Sequence, residues 1–249
     1  MEVHHHAHTA RKKIFHYLWE FIMLFLAVFC GFLAEYQLEH KIEKEKEKQY
    51  VKSLVLDLAY DTAKYSQTIA GLEKKFPYYD SVLLFFKTPA TYSNRLPYRY
   101  YIRTNHELFY IPNSPTIQQL KNSGNLRLIT KKLVLDSILI YQSNINGRLQ
   151  NQTDYVIEYN KRLIQLQETI LDFGGLNQYL NGIFGDQLNK DRSVYDLAVF
   201  VNNPAKLQAL SNLFVGTKAS ELFYMNVLEL MKEDATSLML FVQKEYKLN

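Results

Sequence analysis

The stretch from Ile14 to Ala34, IFHYLWEFIMLFLAVFCGFLA, constrains this chain more than any other. At about 1.5 Å of rise per residue, a helix of that length reaches about 31 Å, the thickness of a bilayer's hydrocarbon layer. Phe21 to Leu33 carries no charge, and Tyr17 and Trp19 lie near one end, where aromatic rings favour the interface. Arg11, Lys12 and Lys13 precede the stretch, which predicts a cytoplasmic N-terminus; Lys41, Lys44, Lys46 and Lys48 beyond it weaken that signal. A cleaved signal peptide needs small residues before its cleavage site, and Leu33-Ala34-Glu35 is a poor site. A lipoprotein would use Cys30 with Gly31 behind it, and the bulky Phe29 argues against that. The expectation is an uncleaved single-pass anchor embedded in membrane lipid.

One face of that helix is unlike lipid-facing surface. At 100° per residue, His16, Glu20, Ala27, Gly31 and Ala34 fall within roughly 60° of one another. His16 and Glu20 are four apart and can pair. Ala27 and Gly31 form a small-xxx-small pair that lets another backbone approach closely. A carboxyl at this depth is expensive to leave against lipid. The face therefore reads as a helix–helix interface, within a homo-oligomer or with another inner-membrane protein. The plainer alternative is that Glu20 snorkels to the headgroups.

Beyond the anchor, the chain is too apolar to be disordered, at 47% hydrophobic and 14% aromatic. Nine glycines and six prolines in 249 residues leave room for long elements, which usually means helices. A net charge of +4 gives no concentrated basic face and no reason to expect nucleic acid as a partner. With Cys30 alone, no intramolecular disulfide can form.

The pattern predicts an all-α chain in four parts: a tail over 1–13, the membrane helix over 14–34, a stalk over 35–75 and an extracytoplasmic domain over 76–249. Alternating Glu and Lys after His40 suit a solvated stalk helix. Tyr50, Leu54, Leu58, Tyr65, Ile69 and Leu72 mark one buried face, and Pro77 is expected to interrupt the helix. Residues 88–115 are rich in proline and tyrosine. Tyr98 to Ile111, broken at Thr104-Asn105, can form a short hairpin; the plainer reading has the tyrosines fold over one end of a bundle. Thr116 to Gln119 reads as a capping box and Ser123-Gly124 as a stop. Thr130 is then a cap for a long helix carrying Leu133, Ile138, Tyr141, Ile145, Leu149, Val156, Tyr159, Leu163, Leu166 and Ile170, loosened at Gly147 and closed at Gly174-Gly175. Pro204 suits a first helical position, and a last helix is expected from about Thr217 to Tyr246. Together these give an antiparallel helical bundle.

Two stretches are familiar. Met1 to His8 (MEVHHHAH) followed by Tyr17 to Glu35 (YLWEFIMLFLAVFCGFLAE), and further on Thr116-x-x-x-Leu120 to Ile129 (TxxxLKNSGNLRLI), resemble segments of uncharacterised bacterial single-pass membrane proteins, a domain of unknown function. The resemblance implies an anchored architecture in a bacterial inner membrane with the main domain in the periplasm. It implies no activity and no site residues.

The chain contains no G-x-x-x-x-G-K, G-x-G-x-x-G, H-E-x-x-H, C-x-x-C or G-x-S-x-G. A histidine pair in the distal domain would need His40 and His106 to converge. Asp57 with Asp61, and Glu229 with Glu233, sit four apart and read as solvated helix faces. The N-terminal His4, His5, His6 and His8 are candidate ligands for Zn²⁺, Cu²⁺ or Ni²⁺; with Arg11 to Lys13 they can equally contact anionic lipid at low pH. The leading expectation is a non-catalytic accessory protein that self-associates or joins a larger complex. A ligand sensor signalling through a partner, and metal handling by the tail, are the alternatives.

Overall fold

A computed structural model describes residues 10–87, 95–112, 114–171, 196–198 and 204–248. The chain is all-α in class. Helix α1 (Ala10–Lys87) is followed by α2 (Tyr98–Asn105), α3 (Pro115–Asn122), α4 (Lys132–Asn144), α5 (Gln150–Gln167) and α6 (Pro204–Tyr246). Two three-residue strands, β1 (Arg95–Pro97) and β2 (Asp196–Ala198), form an antiparallel pair. Near its N-terminus α1 is long and apolar enough to cross a membrane, and none of that stretch is buried.

The bundle is built on a 3.5-residue repeat. Buried residues on α6 run Leu210, Phe214, Thr217, Glu221, Tyr224, Leu228, Met231, Ala235, Leu238 and Val242, alternating steps of four and three. On α1 the same alternation runs Glu47, Val51, Leu54, Leu58, Asp61, Tyr65, then Leu72, Lys75, Tyr79 and Val82. Such a stripe stays on one side of a gently supercoiled helix and can face a neighbour over its whole length. The third rod departs from the rule in an informative place. Its buried residues Ile145, Leu149 and Thr153 are spaced by two successive fours, one residue too many. Ile145–Leu149 is a π turn, which absorbs the extra residue and returns Val156, Asn160 and Leu163 to the core. Gly147 lies within that turn, where local loosening was expected.

Cross-contacts set the directions. Glu47 meets Tyr246, Lys75 meets Glu221 and Tyr79 stacks edge-on with Phe214, so α1 and α6 are antiparallel. Asn144 bonds Asp234 and Gln152 bonds the Ser220 carbonyl, so α4 and α5 also oppose α6. Hence α1 and the α4–α5 rod are parallel, and the chain must return along the bundle to begin α4. The tyrosine-rich region makes that return. It touches Lys75 through the His106 carbonyl, Asp61 through Tyr110, Asp57 through Thr116 and Glu47 through Thr130. It therefore runs down the side of α1 rather than capping an end.

Several local expectations are corrected. Pro77 lies inside α1 without ending it: the missing N–H is on an exposed position, while Leu72, Tyr79 and Val82 on either side are fully buried and hold both halves in the bundle. No hairpin forms between Tyr98 and Ile111; Tyr98–Asn105 is helical, and the strand before it pairs with distant Asp196–Ala198. The expected capping box does not form: the N-cap is Ser114, two residues before Thr116, and its side chain makes no cap hydrogen bond. Ser114 precedes Pro115 at the first helical position, and the free N–H of Thr116 donates to Asp57 Oδ2 at 3.0 Å. Thr130 does not cap α4, because its N–H and hydroxyl both donate to Glu47. Leu133 is 71% exposed and Val134 takes the core position. Helix α5 stops at Gln167, and Gly174-Gly175 lies outside the described residues. Helix α6 begins at Pro204 and passes through Gly216, where an added Cβ would collide with the Tyr159 ring. Gly216 is thus a close-approach position rather than a break. Residues 47–75, expected as stalk, supply much of the core, so the uncovered part of α1 ends near Lys46.

Candidate functional site

The face expected to bind another helix is open. His16 and Glu20 pair at 3.1 Å, with 70% and 59% of their side chains exposed. Ala27, Gly31 and Ala34 are exposed, and a Cβ at Gly31 would meet nothing within 4 Å. The surrounding surface is strongly apolar: Phe21, Leu24, Phe25, Val28 and Phe32 are all more than half exposed. Large side chains occupy the other faces of α1, and the small ones cluster on this one. That difference creates a shallow channel along the helix, suited to close approach of a second backbone. Leu38 falls on the same face by spacing and is 59% exposed, so the small-residue channel ends after Ala34. Cys30 is exposed on the helix beside it.

The bundle, by contrast, pairs most of its buried polar groups with one another. Glu47, Asp61 and Lys75 lie fourteen residues apart on the buried stripe of α1, and each is met by the return segment and by another helix. Glu47 accepts from Thr130 and from the Tyr246 hydroxyl. Asp61, buried to 3% exposure, accepts from Tyr110 at 2.6 Å and Tyr141 at 3.1 Å. Tyr141 also bonds Tyr65, and the Tyr224 hydroxyl bonds both backbone groups of Tyr110. Lys75 donates to Glu221 at 2.6 Å and to the His106 carbonyl at 2.8 Å.

Burial dominates the electrostatics of these layers. It raises the Asp61 pKa, the two tyrosine hydrogen bonds oppose that rise, and the charge of Asp57 adds to it. Burial likewise raises Glu221 and lowers Lys75, while their mutual attraction works against both shifts. Burial also pushes the phenols of Tyr65, Tyr110 and Tyr141 well above their ordinary value, so they remain hydrogen-bond donors at any physiological pH.

Asp61 overturns the expectation of a solvated carboxylate pair, and Asp57 is half-buried; Glu229 and Glu233 are exposed as expected. The buried layers escaped the sequence reading, although the fourteen-residue spacing of Glu47, Asp61 and Lys75 on an otherwise apolar stripe was available to find them. His40 bonds Tyr36, and the His106 carbonyl bonds Lys75; by their places along α1 the two histidines are about 50 Å apart and form no pair. Among the described residues, no group of three or more His, Cys, Asp or Glu side chains could hold a metal ion. His4, His5, His6 and His8 lie outside the described residues. No protein-family model, curated protein or solved structure matches the chain.

Proposed function

We propose that this is a membrane-anchored interaction protein that assembles through the His16–Glu20–Ala27–Gly31–Ala34 face of α1, with copies of itself or with a larger inner-membrane complex. In this reading α1 crosses a bacterial inner membrane with its N-terminus in the cytoplasm and its bundle in the periplasm, and the chain has no catalytic step of its own. The resemblance to single-pass bacterial membrane proteins and the basic Arg11–Lys13 flank support that placement. The observation that carries the reading is the contrast along one continuous helix. From Glu47 onward α1 is packed on its core stripe, whereas around Gly31 it presents small residues with nothing against them.

The test is Gly31→Leu in the full chain, solubilised gently from its own membranes and weighed by native mass spectrometry. Leucine fills the channel and keeps the helix apolar, so insertion is retained while close packing is lost. The expected result is a smaller complex than wild type. A complex of unchanged mass and stoichiometry would count against the face as the interface. The identity of any co-purified subunit separates self-association from service to a larger assembly.

A further inference from the structure

The bundle holds a second feature that assembly through α1 does not use. Where the return segment leaves α2 and crosses α1, a cleft of about 370 Å³ opens beside the third polar layer. Lys75 forms part of it, with only 3% of its side chain exposed. Lys74, Arg103 and His106 stand around it, and Tyr78 and Leu108 supply apolar surface. Leu108 can settle there because Gly71 carries no side chain; a Cβ at that position would lie 3.1 Å from Leu108. Among the described residues lining the cleft, none is acidic. Glu107 acts on Lys75 electrostatically but is not part of the lining.

From this we infer that the cleft is a binding site for a small organic oxyanion, a carboxylate or phosphate monoester carried on a flat apolar body. The recognition chemistry is present in fixed form. An ammonium has three N–H donors, and Lys75 spends one on Glu221 and one on the His106 carbonyl. Those two bonds hold the ammonium in place, 5.4 Å from the centre of the Tyr79 ring, and leave its third N–H without a hydrogen-bond acceptor among the described residues. Arg103 lies with its guanidinium 5.8 Å from the centre of the Tyr78 ring, which orients it against the cleft wall. Lys74 adds positive charge that no described residue pairs, and Tyr78 and Leu108 offer a surface for the apolar part. Charge arithmetic supports an anion: Glu221 neutralises Lys75, and Lys74 and Arg103 set against nearby Glu107 leave one net positive charge.

The source of the anion follows from position. Lys75 is 41 residues beyond Ala34 on the same helix, about 60 Å along its axis. A headgroup in the membrane that α1 crosses cannot reach that far, so the ligand is a solute of the aqueous compartment.

The experiment is calorimetric titration of the full chain in detergent micelles with phenyl phosphate and benzoate, with phenyltrimethylammonium chloride as the opposite-charge control. Saturable binding of at least one anion, absent for the cation and weakened by salt, is expected. Lys74→Glu with Arg103→Glu, both on exposed positions, should weaken it at least tenfold while melting behaviour is retained. Lys75→Met combined with Glu221→Met removes the buried ammonium without stranding its carboxylate, and should weaken it similarly. No saturable anion binding by the wild type would overturn the inference. So would binding that survives both double substitutions unchanged.

Discussion

At the scale of single residues, the informative positions are charged side chains where a hydrophobic stripe calls for leucine. Asp61 is the clearest. Its carboxylate accepts two phenolic hydrogen bonds, yet burial and Asp57 together hold its pKa above the ordinary 3.8. The sign follows by linkage: with the folded value above the unfolded one, the protonated form folds more favourably. Stability contributed at this site is therefore present below pH 3.8 and lost as pH rises through the folded value. Asp61→Asn should accordingly melt higher than wild type at pH 7, with the gap closing as pH falls below 3.8. The hydrogen bonds need not be lost, because either hydroxyl can donate in the Tyr65–Tyr141 bond. Tyr141 can then donate to Tyr65 and accept from the new amide. Thermal melts of both proteins across that pH range check this; a lower melting temperature for the variant at pH 7 would show that the carboxylate's hydrogen bonds outweigh its desolvation.

At the scale of elements, the three polar layers set how the rods meet. Lys75 and Glu221 separate the large core, which ends at Leu72 and Tyr224, from the smaller core around Tyr79 and Phe214. Removing one partner leaves a buried charge alone, whereas removing both leaves an apolar contact. Lys75→Met is expected to cost about 3–5 kcal/mol, and Lys75→Met with Glu221→Met to return to within about 1 kcal/mol of wild type or exceed it. Urea melts of the three proteins give the comparison, and equal losses for single and double variants would sink it. Much of this level was legible in the sequence. Tyr65, Leu72, Ile138, Tyr141 and Val156 were all identified as core from their spacing, and the last helix ends at Tyr246 as expected. What could not be read was which elements oppose each other. Local pattern says that α1 has a buried side; only the distant partners Tyr110, Thr130, Glu221 and Tyr246 decide that the 106–130 segment runs back along it. Pro77 was misread for the same reason, since a proline's local penalty is outweighed by long-range packing on either side. That His16, Glu20, Ala27, Gly31 and Ala34 share one face follows from one helix's periodicity alone, while the cleft was invisible because Arg103 and Lys75 meet only through the fold.

At the scale of the whole molecule, one helix belongs to two environments. Helix α1 runs 78 residues, about 117 Å, and its two parts answer to different physics. Up to about Leu33 its exposed large apolar residues meet, among the described residues, only neighbours on their own helix, so water is a poor solvent for them and a membrane or another helix a good one. From Glu47 the same helix is held by α6, α3 and the return segment, and the apolar burial that stabilises the bundle lies entirely on this side of the boundary. The only contact linking residues before Glu47 to the bundle with charge is Glu43 with Arg127, at 3.8 Å and largely exposed, which contributes little among the described residues. The two parts should therefore separate cleanly. A chain lacking residues 1–38 is expected to be soluble without detergent, to keep its helical circular dichroism and to unfold cooperatively within a few degrees of the full chain. It should also be monomeric, because the small-residue face leaves with the deleted segment. Sedimentation and thermal melts of the shortened protein decide both points. If it folds and still associates, the interface lies on the bundle and the Gly31 face is ordinary membrane surface; if it fails to fold, the apolar half of α1 contributes to the bundle in a way its lack of contacts does not reveal.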